Sequence, residues 1–107
     1  MSNKGFIGIP DTDYIDVQYK KNDKNVFVEI KPTKNIKTKY AIRIAIGQIL
    51  EYQYLHDKNA DLEIVVSSKP KIDEINFVLS LGINLTIYEE LKDSFIEHRS
   101  NVKKTYE

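Results

Sequence analysis

The stretch "VFVEIKP", residues 26–32, decides how this chain reads. Val26, Phe27, Val28 and Ile30 describe a buried strand, yet Glu29 and Lys31 fall together on one of its faces. Charged side chains are rarely buried unless they are paired or bound to something. Pro32 cannot donate to a ladder, so the strand stops there. Upstream, "YIDVQY" (14–19) alternates Ile15, Val17 and Tyr19 with Tyr14, Asp16 and Gln18, the period of a second strand. The polar cluster "KKNDKN" (20–25) joins the two into a β-hairpin.

A turn centred on Asn22 and Asp23 pairs residues whose numbers sum to 45. That register sets Asp16 opposite Glu29 and Tyr14 opposite Lys31. Directly opposed residues share a face with Cβ atoms about 5 Å apart. Lys31, two residues on from Glu29, shares it too. Two carboxylates and an ammonium group therefore converge, and like charges so opposed are destabilising unless a cation sits between them. A surface salt bridge from Lys31 to one carboxylate, with Asp16 facing water, accounts for the same residues. A slip of one residue in register would separate the pair.

After "TKNIKTK" the pattern changes: from about 39 to 55, Ile42, Ile46, Ile49 and Leu50 recur at helical spacing. "LEIVVSS" (62–68) reads as a third strand. Pro70 suits the first turn of a second helix, with Ile72, Ile75, Val78 and Leu79 along one face and Gly82 as its stop. "INLTIY" (83–88) is a fourth strand, and so short a strand–helix–strand crossover makes strands three and four parallel. From Glu89 onward, Leu91, Phe95, His98 and Val102 at helical spacing predict a closing helix. The expected architecture is α/β or α+β, a mixed sheet of about four strands flanked by helices in the order ββαβαβ plus a C-terminal helix. Residues 1–13, with Gly5, Gly8 and Pro10, read as an irregular or short edge segment.

At 107 residues the chain reads as a single domain. Sixteen basic and sixteen acidic residues cancel, so net charge lends no support to nucleic-acid binding, although a neutral chain can carry a local basic face. With no cysteine, disulfides and thiolate zinc sites are excluded, which fits a reducing cytoplasm. No stretch has the length of a membrane span and the start carries no signal-peptide core, so no membrane partner is expected. Lys34, Lys37, Lys39 and Arg43 follow the charged strand and are candidates for phosphate contacts, though a solvated loop has the same composition. His56 and His98 lack partners at metal-ligand spacing and read as structural.

Asp16, with Glu29 and Lys31 thirteen and fifteen positions later, resembles the D…E-x-K core of the PD-(D/E)XK nuclease superfamily. "GQILEY" places Gln48 and Tyr52 one turn apart on the following helix, similar to the Q-x-x-x-Y motif of that superfamily's RecB-like branch. The resemblance covers roughly residues 13 to 88 and includes the order of elements. It implies a restriction-endonuclease-like fold and a hydrolase that cuts DNA with magnesium, or manganese in its place. Asp16 and Glu29 would be metal ligands with the carbonyl of Ile30 as a third. Lys31 would be catalytic, and Gln48 and Tyr52 would support the site and the nucleic-acid backbone. The sequence departs from the family in lacking a first helix with a further acidic residue. Its Pro10-Asp11 pair lies outside the hairpin, and Asp13 is not placed beside Glu29 by the register. A catalytically degenerate binding or assembly module on the same fold is the alternative. A chain this short would cover little of a duplex, so a homodimer is expected, with the closing helix around Leu91 and Phe95 as its interface and branched or single-stranded DNA among the substrates.

Overall fold

The computed structural model describes residues 15–33 and 36–102. The expected segment over residues 1–13, with Asp11 and Asp13, lies outside them, as does Lys34. Two strands open the described chain, β1 (Val17–Lys21) and β2 (Lys24–Lys31), followed by helix α1 (Thr38–His56). Then come β3 (Asp61–Val66), helix α2 (Ile72–Ser80), β4 (Ile83–Glu89), a single 3₁₀ turn (Glu90–Lys92) and β5 (Ser94–His98). All five strands form one mixed sheet in the order β1-β2-β3-β4-β5. The fold is α/β.

The hairpin turn explains the register. Asn22 and Asp23 both have positive φ, 54° and 65°, as a two-residue type I′ turn requires, and Asn and Asp tolerate that conformation. The observed pairs run from Lys21 opposite Lys24 to Val17 opposite Val28, the register expected from a turn at these two residues. β2 and β3 are parallel, as are β3 and β4. Each parallel pair is bridged by a helix, and because the strands are taken in sequential order, both right-handed crossovers lay their helices on the same face of the sheet.

That face holds the core. Phe27 of β2, Leu62, Ile64 and Val66 of β3, and Ile83, Leu85 and Ile87 of β4 are buried there against Ile42, Ala45 and Ile49 of α1 and Ile75 and Val78 of α2. In α1 the apolar face is broader than Ile42, Ile46, Ile49 and Leu50 alone, since Ala41 and Ala45 are also buried and let the helix approach closely. Gln53, also buried, is satisfied by donating from Nε2 to the carbonyl of Ala60 at 3.0 Å. Ile72 departs from expectation: as the first residue of α2 it is exposed rather than part of the packed face. Gly82, at φ 79°, supplies the left-handed step that ends α2.

The expected closing helix is not formed. Its residues make the 3₁₀ turn and then β5, antiparallel to β4. Leu91, Phe95 and His98 do recur at three- and four-residue spacing, but an unpaired β4 edge offers backbone partners that a lone helix would forgo. Asp93, at φ 48°, closes the turn, and Tyr88 Oη donates to its Oδ1 at 3.1 Å. Phe95 then stacks obliquely on Tyr88, its cross-strand partner, with ring centroids 4.9 Å apart. The fifth strand replaces the helix, so the sheet has one strand more than the sequence suggested.

Candidate functional site

The site is built from the hairpin and the ends of the two parallel strands beside it. Side chains alternate across β2, so Phe27, Glu29 and Lys31 share the helix-covered face. Phe27 is part of the core and Glu29, two residues on, is still buried at 4% exposure. Lys31 is nearer the end of the strand and half-buried. Carrying the hairpin register one residue past β1 sets Asp16 across from Glu29.

Asp16 does not simply face water. Its Oδ2 accepts a hydrogen bond from the backbone N–H of Ile30 at 2.8 Å. The Lys31 ammonium lies 3.2 Å from Oε2 of Glu29. The other oxygen, Oε1, is buried with no hydrogen-bond partner. Burial raises the Glu29 pKa above the ordinary 4.5, and the negative charge of Asp16 adds to the rise; the hydrogen bond and charge of Lys31 pull it down but do not cancel it. Of the two readings the sequence left open, the Lys31–Glu29 ion pair is present, joining a half-buried ammonium to a buried carboxylate.

A buried carboxylate oxygen with no hydrogen-bond partner is costly. Hard divalent cations take such oxygens as ligands, and magnesium characteristically uses one or two protein carboxylates, keeping its other positions for water and phosphate. Glu29 Oε1 and Asp16 Oδ1 have the right chemistry for that role. Among the described residues there is no cluster of three or more His, Cys, Asp or Glu side chains suited to a metal. The acidic groups that could hold such an ion are therefore these two carboxylates, and the resemblance suggests the Ile30 carbonyl as a third ligand.

Gln48 and Tyr52 sit differently from one another. Tyr52 is half-buried, its ring edge-on to Phe27 at 4.8 Å and beside His56 at 4.1 Å. Gln48, one turn earlier on α1, is exposed, and no hydrogen bond joins it to Asp16, Glu29 or Lys31 among the described residues. Of the pair, Tyr52 is a packing anchor against Phe27 and Gln48 a solvent-facing amide.

Lys37 and Lys39 flank the start of α1, and Arg43 lies one turn on, 5.7 Å from the ring of Tyr40. The sequence reading overlooked what stands beside them. Thr33 donates its N–H to Ser67 Oγ at 3.0 Å, and its hydroxyl lies 2.9 Å from Ser67 Oγ and 2.7 Å from Ser68 Oγ. These bonds pin the segment after β2 to the segment after β3. A signal was present: "KPTK" and "SSKP" each follow a parallel strand, and ligands of α/β sheets collect at the C-terminal ends of such strands.

A scan of protein-family models finds no match to this chain, and a search of curated proteins finds none either.

Proposed function

We propose that the protein is a metal-dependent nuclease of the PD-(D/E)XK type, hydrolysing phosphodiester bonds of DNA at a site made by Asp16, Glu29 and Lys31. The observation that carries this reading is the buried, unpartnered Oε1 of Glu29, with Lys31 on the other oxygen and Asp16 across the hairpin. A buried acid with a raised pKa beside a second acid is costly to the apoprotein and is explained by a cation it holds in use. Asp16 and Glu29 would hold magnesium or manganese, with the Ile30 carbonyl beside them. The ion, when bound, lowers the pKa of a coordinated water and neutralises charge on the phosphate. Lys31 orients the attacking water and stabilises the extra negative charge of the transition state. The water oxygen bonds to phosphorus, the bond to the leaving deoxyribose oxygen breaks, and the water's proton ends on that oxygen. Gln48 supports the site, Tyr52 fixes the helix that carries it, and Lys37, Lys39 and Arg43 meet the nucleic-acid backbone, with Lys34 in the same stretch.

The test is cleavage of duplex, single-stranded and branched DNA with magnesium. Wild type should cut at least one, and Lys31→Ala should lose about a hundredfold or more, the scale of a general acid–base or charge-stabilising group. Equal behaviour of the two proteins removes the enzymatic reading. If neither cuts and calorimetry detects no magnesium or manganese binding that Asp16→Asn abolishes, the alternative of a degenerate module on this fold takes its place.

A homodimer is part of the proposal. With the closing helix replaced by a strand, its surface would be the outer edge of the sheet, where Leu91 is fully exposed and Phe95 largely so.

A further inference from the structure

Between the starts of α1 and α2 lies a cleft of about 300 Å³ whose lining includes Lys37, Lys39, Tyr40, Lys69, Lys71 and Glu74. Four lysines thus line one concavity of a chain whose net charge is zero. No ion pair to any of the four is found among the described residues, whose salt bridges are Lys24–Asp61, Lys31–Glu29 and Arg99–Glu97. The one carboxylate in the lining, Glu74, accepts from the backbone N–H of Lys71 at 3.1 Å and so faces its own helix end.

The placement of these lysines is poor for stability. Lys37 is the N-cap of α1 and Lys71 the N-cap of α2, positions where Ser, Thr, Asp and Asn are preferred and where the helix dipole disfavours a positive charge. Neither lysine caps with its side chain; α2 has Asp73 and Glu74 in its first turn to offset Lys71, but α1 has no acidic residue there to offset Lys37. An anion in the cleft would relieve the charge left at the start of α1 and the mutual repulsion of the lysines. The two walls do not drift apart, because the Thr33–Ser67–Ser68 hydroxyl bonds tie their roots to each other just beyond Lys31.

Tyr40 narrows the class of anion. The residue is 46% exposed and lines the cleft, with the Lys39 ammonium 5.5 Å and the Arg43 guanidinium 5.7 Å from its ring centroid. An exposed aromatic ring among cations is the arrangement by which proteins hold unpaired bases and their phosphates together. A duplex keeps its bases stacked inside, leaving nothing for Tyr40 to stack on.

The geometry points to this cleft as a clamp for single-stranded nucleic acid, in which Lys37, Lys39, Lys69 and Lys71 hold phosphates and Tyr40 stacks a base. It rests on the nuclease reading only for its use, since it would deliver a strand to Asp16 and Glu29. Binding is separable from cutting, so fluorescence anisotropy in EDTA tests it on the full chain. The probes are an oligothymidylate and an oligouridylate of about twelve nucleotides, within the range of single-strand site sizes, and a blunt duplex of the same length.

The single strands should bind at least tenfold more tightly than the duplex; the tighter of the two identifies DNA or RNA as the strand held. Lys69→Glu with Lys71→Glu should weaken single-strand binding at least tenfold. Lys69→Gln with Lys71→Gln should lower the salt slope by about 1.4, near 0.7 for each phosphate that a lysine no longer neutralises. Tyr40→Ala should weaken binding roughly tenfold. Equal affinity for duplex and single strand, or a Lys69/Lys71 variant or Tyr40→Ala that binds as wild type does, overturns the clamp. Single-strand binding with no cleavage in magnesium sinks the nuclease proposal and leaves the clamp standing, whereas cleavage with no such binding does the reverse.

Discussion

Glu29 is where folding and proposed function pull in opposite directions. Its folded-state pKa is raised, so the native protein holds its proton more tightly than the unfolded chain does. The sign follows from linkage: the group's contribution is fully favourable below about pH 4.5 and is lost as pH rises through the elevated folded value. Glu29→Gln removes that penalty. We expect the variant to be more stable than wild type by about 1 kcal/mol at neutral pH without divalent ions, with the difference shrinking as pH falls through this window. Urea midpoints from pH 4 to 8 check it, and a difference independent of pH would count against the assignment. Millimolar magnesium should stabilise wild type and not the variant. Asp16→Asn keeps an oxygen for the Ile30 N–H, so its stability should change by less than about 0.5 kcal/mol while magnesium binding, read by calorimetry, is lost.

The hairpin was legible in the sequence because its parts agree: alternation in two short runs, a polar turn, and two residues that accept positive φ. The same consistency made α1, β3, α2 and β4 readable from apolar spacing. The segment after Glu89 was not readable, because Leu91, Phe95 and His98 fit helical spacing while the choice was made by a partner far away in sequence, the free edge of β4. Lys69 and Lys71 were missed for a related reason. They are neighbours of Lys37 and Lys39 only through the parallel pairing of β2 with β3. Two measurements bear on these elements. Asp23→Gly should raise the stability read from urea unfolding by a few tenths to about 1 kcal/mol, because glycine takes the second type I′ position without strain. Thr33→Val, which keeps the side chain's shape, should cost about 1 kcal/mol in hydroxyl bonds and weaken oligothymidylate binding in EDTA by loosening the cleft; unchanged stability and binding would show that the walls hold themselves.

For the whole molecule, the helix-covered face carries the stability. Ile49 is fully buried in the centre of α1, and Ile49→Ala should cost about 2–5 kcal/mol, a large part of the roughly 5–15 kcal/mol that holds a domain of this kind together. Thermal denaturation followed by circular dichroism checks that range. No helix among the described residues is long and apolar enough to cross a membrane. The dimer proposal belongs to this scale too: light scattering at high protein concentration should return twice the chain mass, and Leu91→Glu with Phe95→Glu should return it to one. The strand order has a further bearing on biogenesis. Because strands are added to the sheet in the sequence in which they are translated, the described chain need not thread any strand between two already laid down. Asp16, Glu29 and Lys31 all belong to the first hairpin, so the acidic pair can meet on a nascent chain while the lysines at 69 and 71 are still inside the ribosome. On a young polypeptide the proposed metal site would then assemble before the proposed strand clamp.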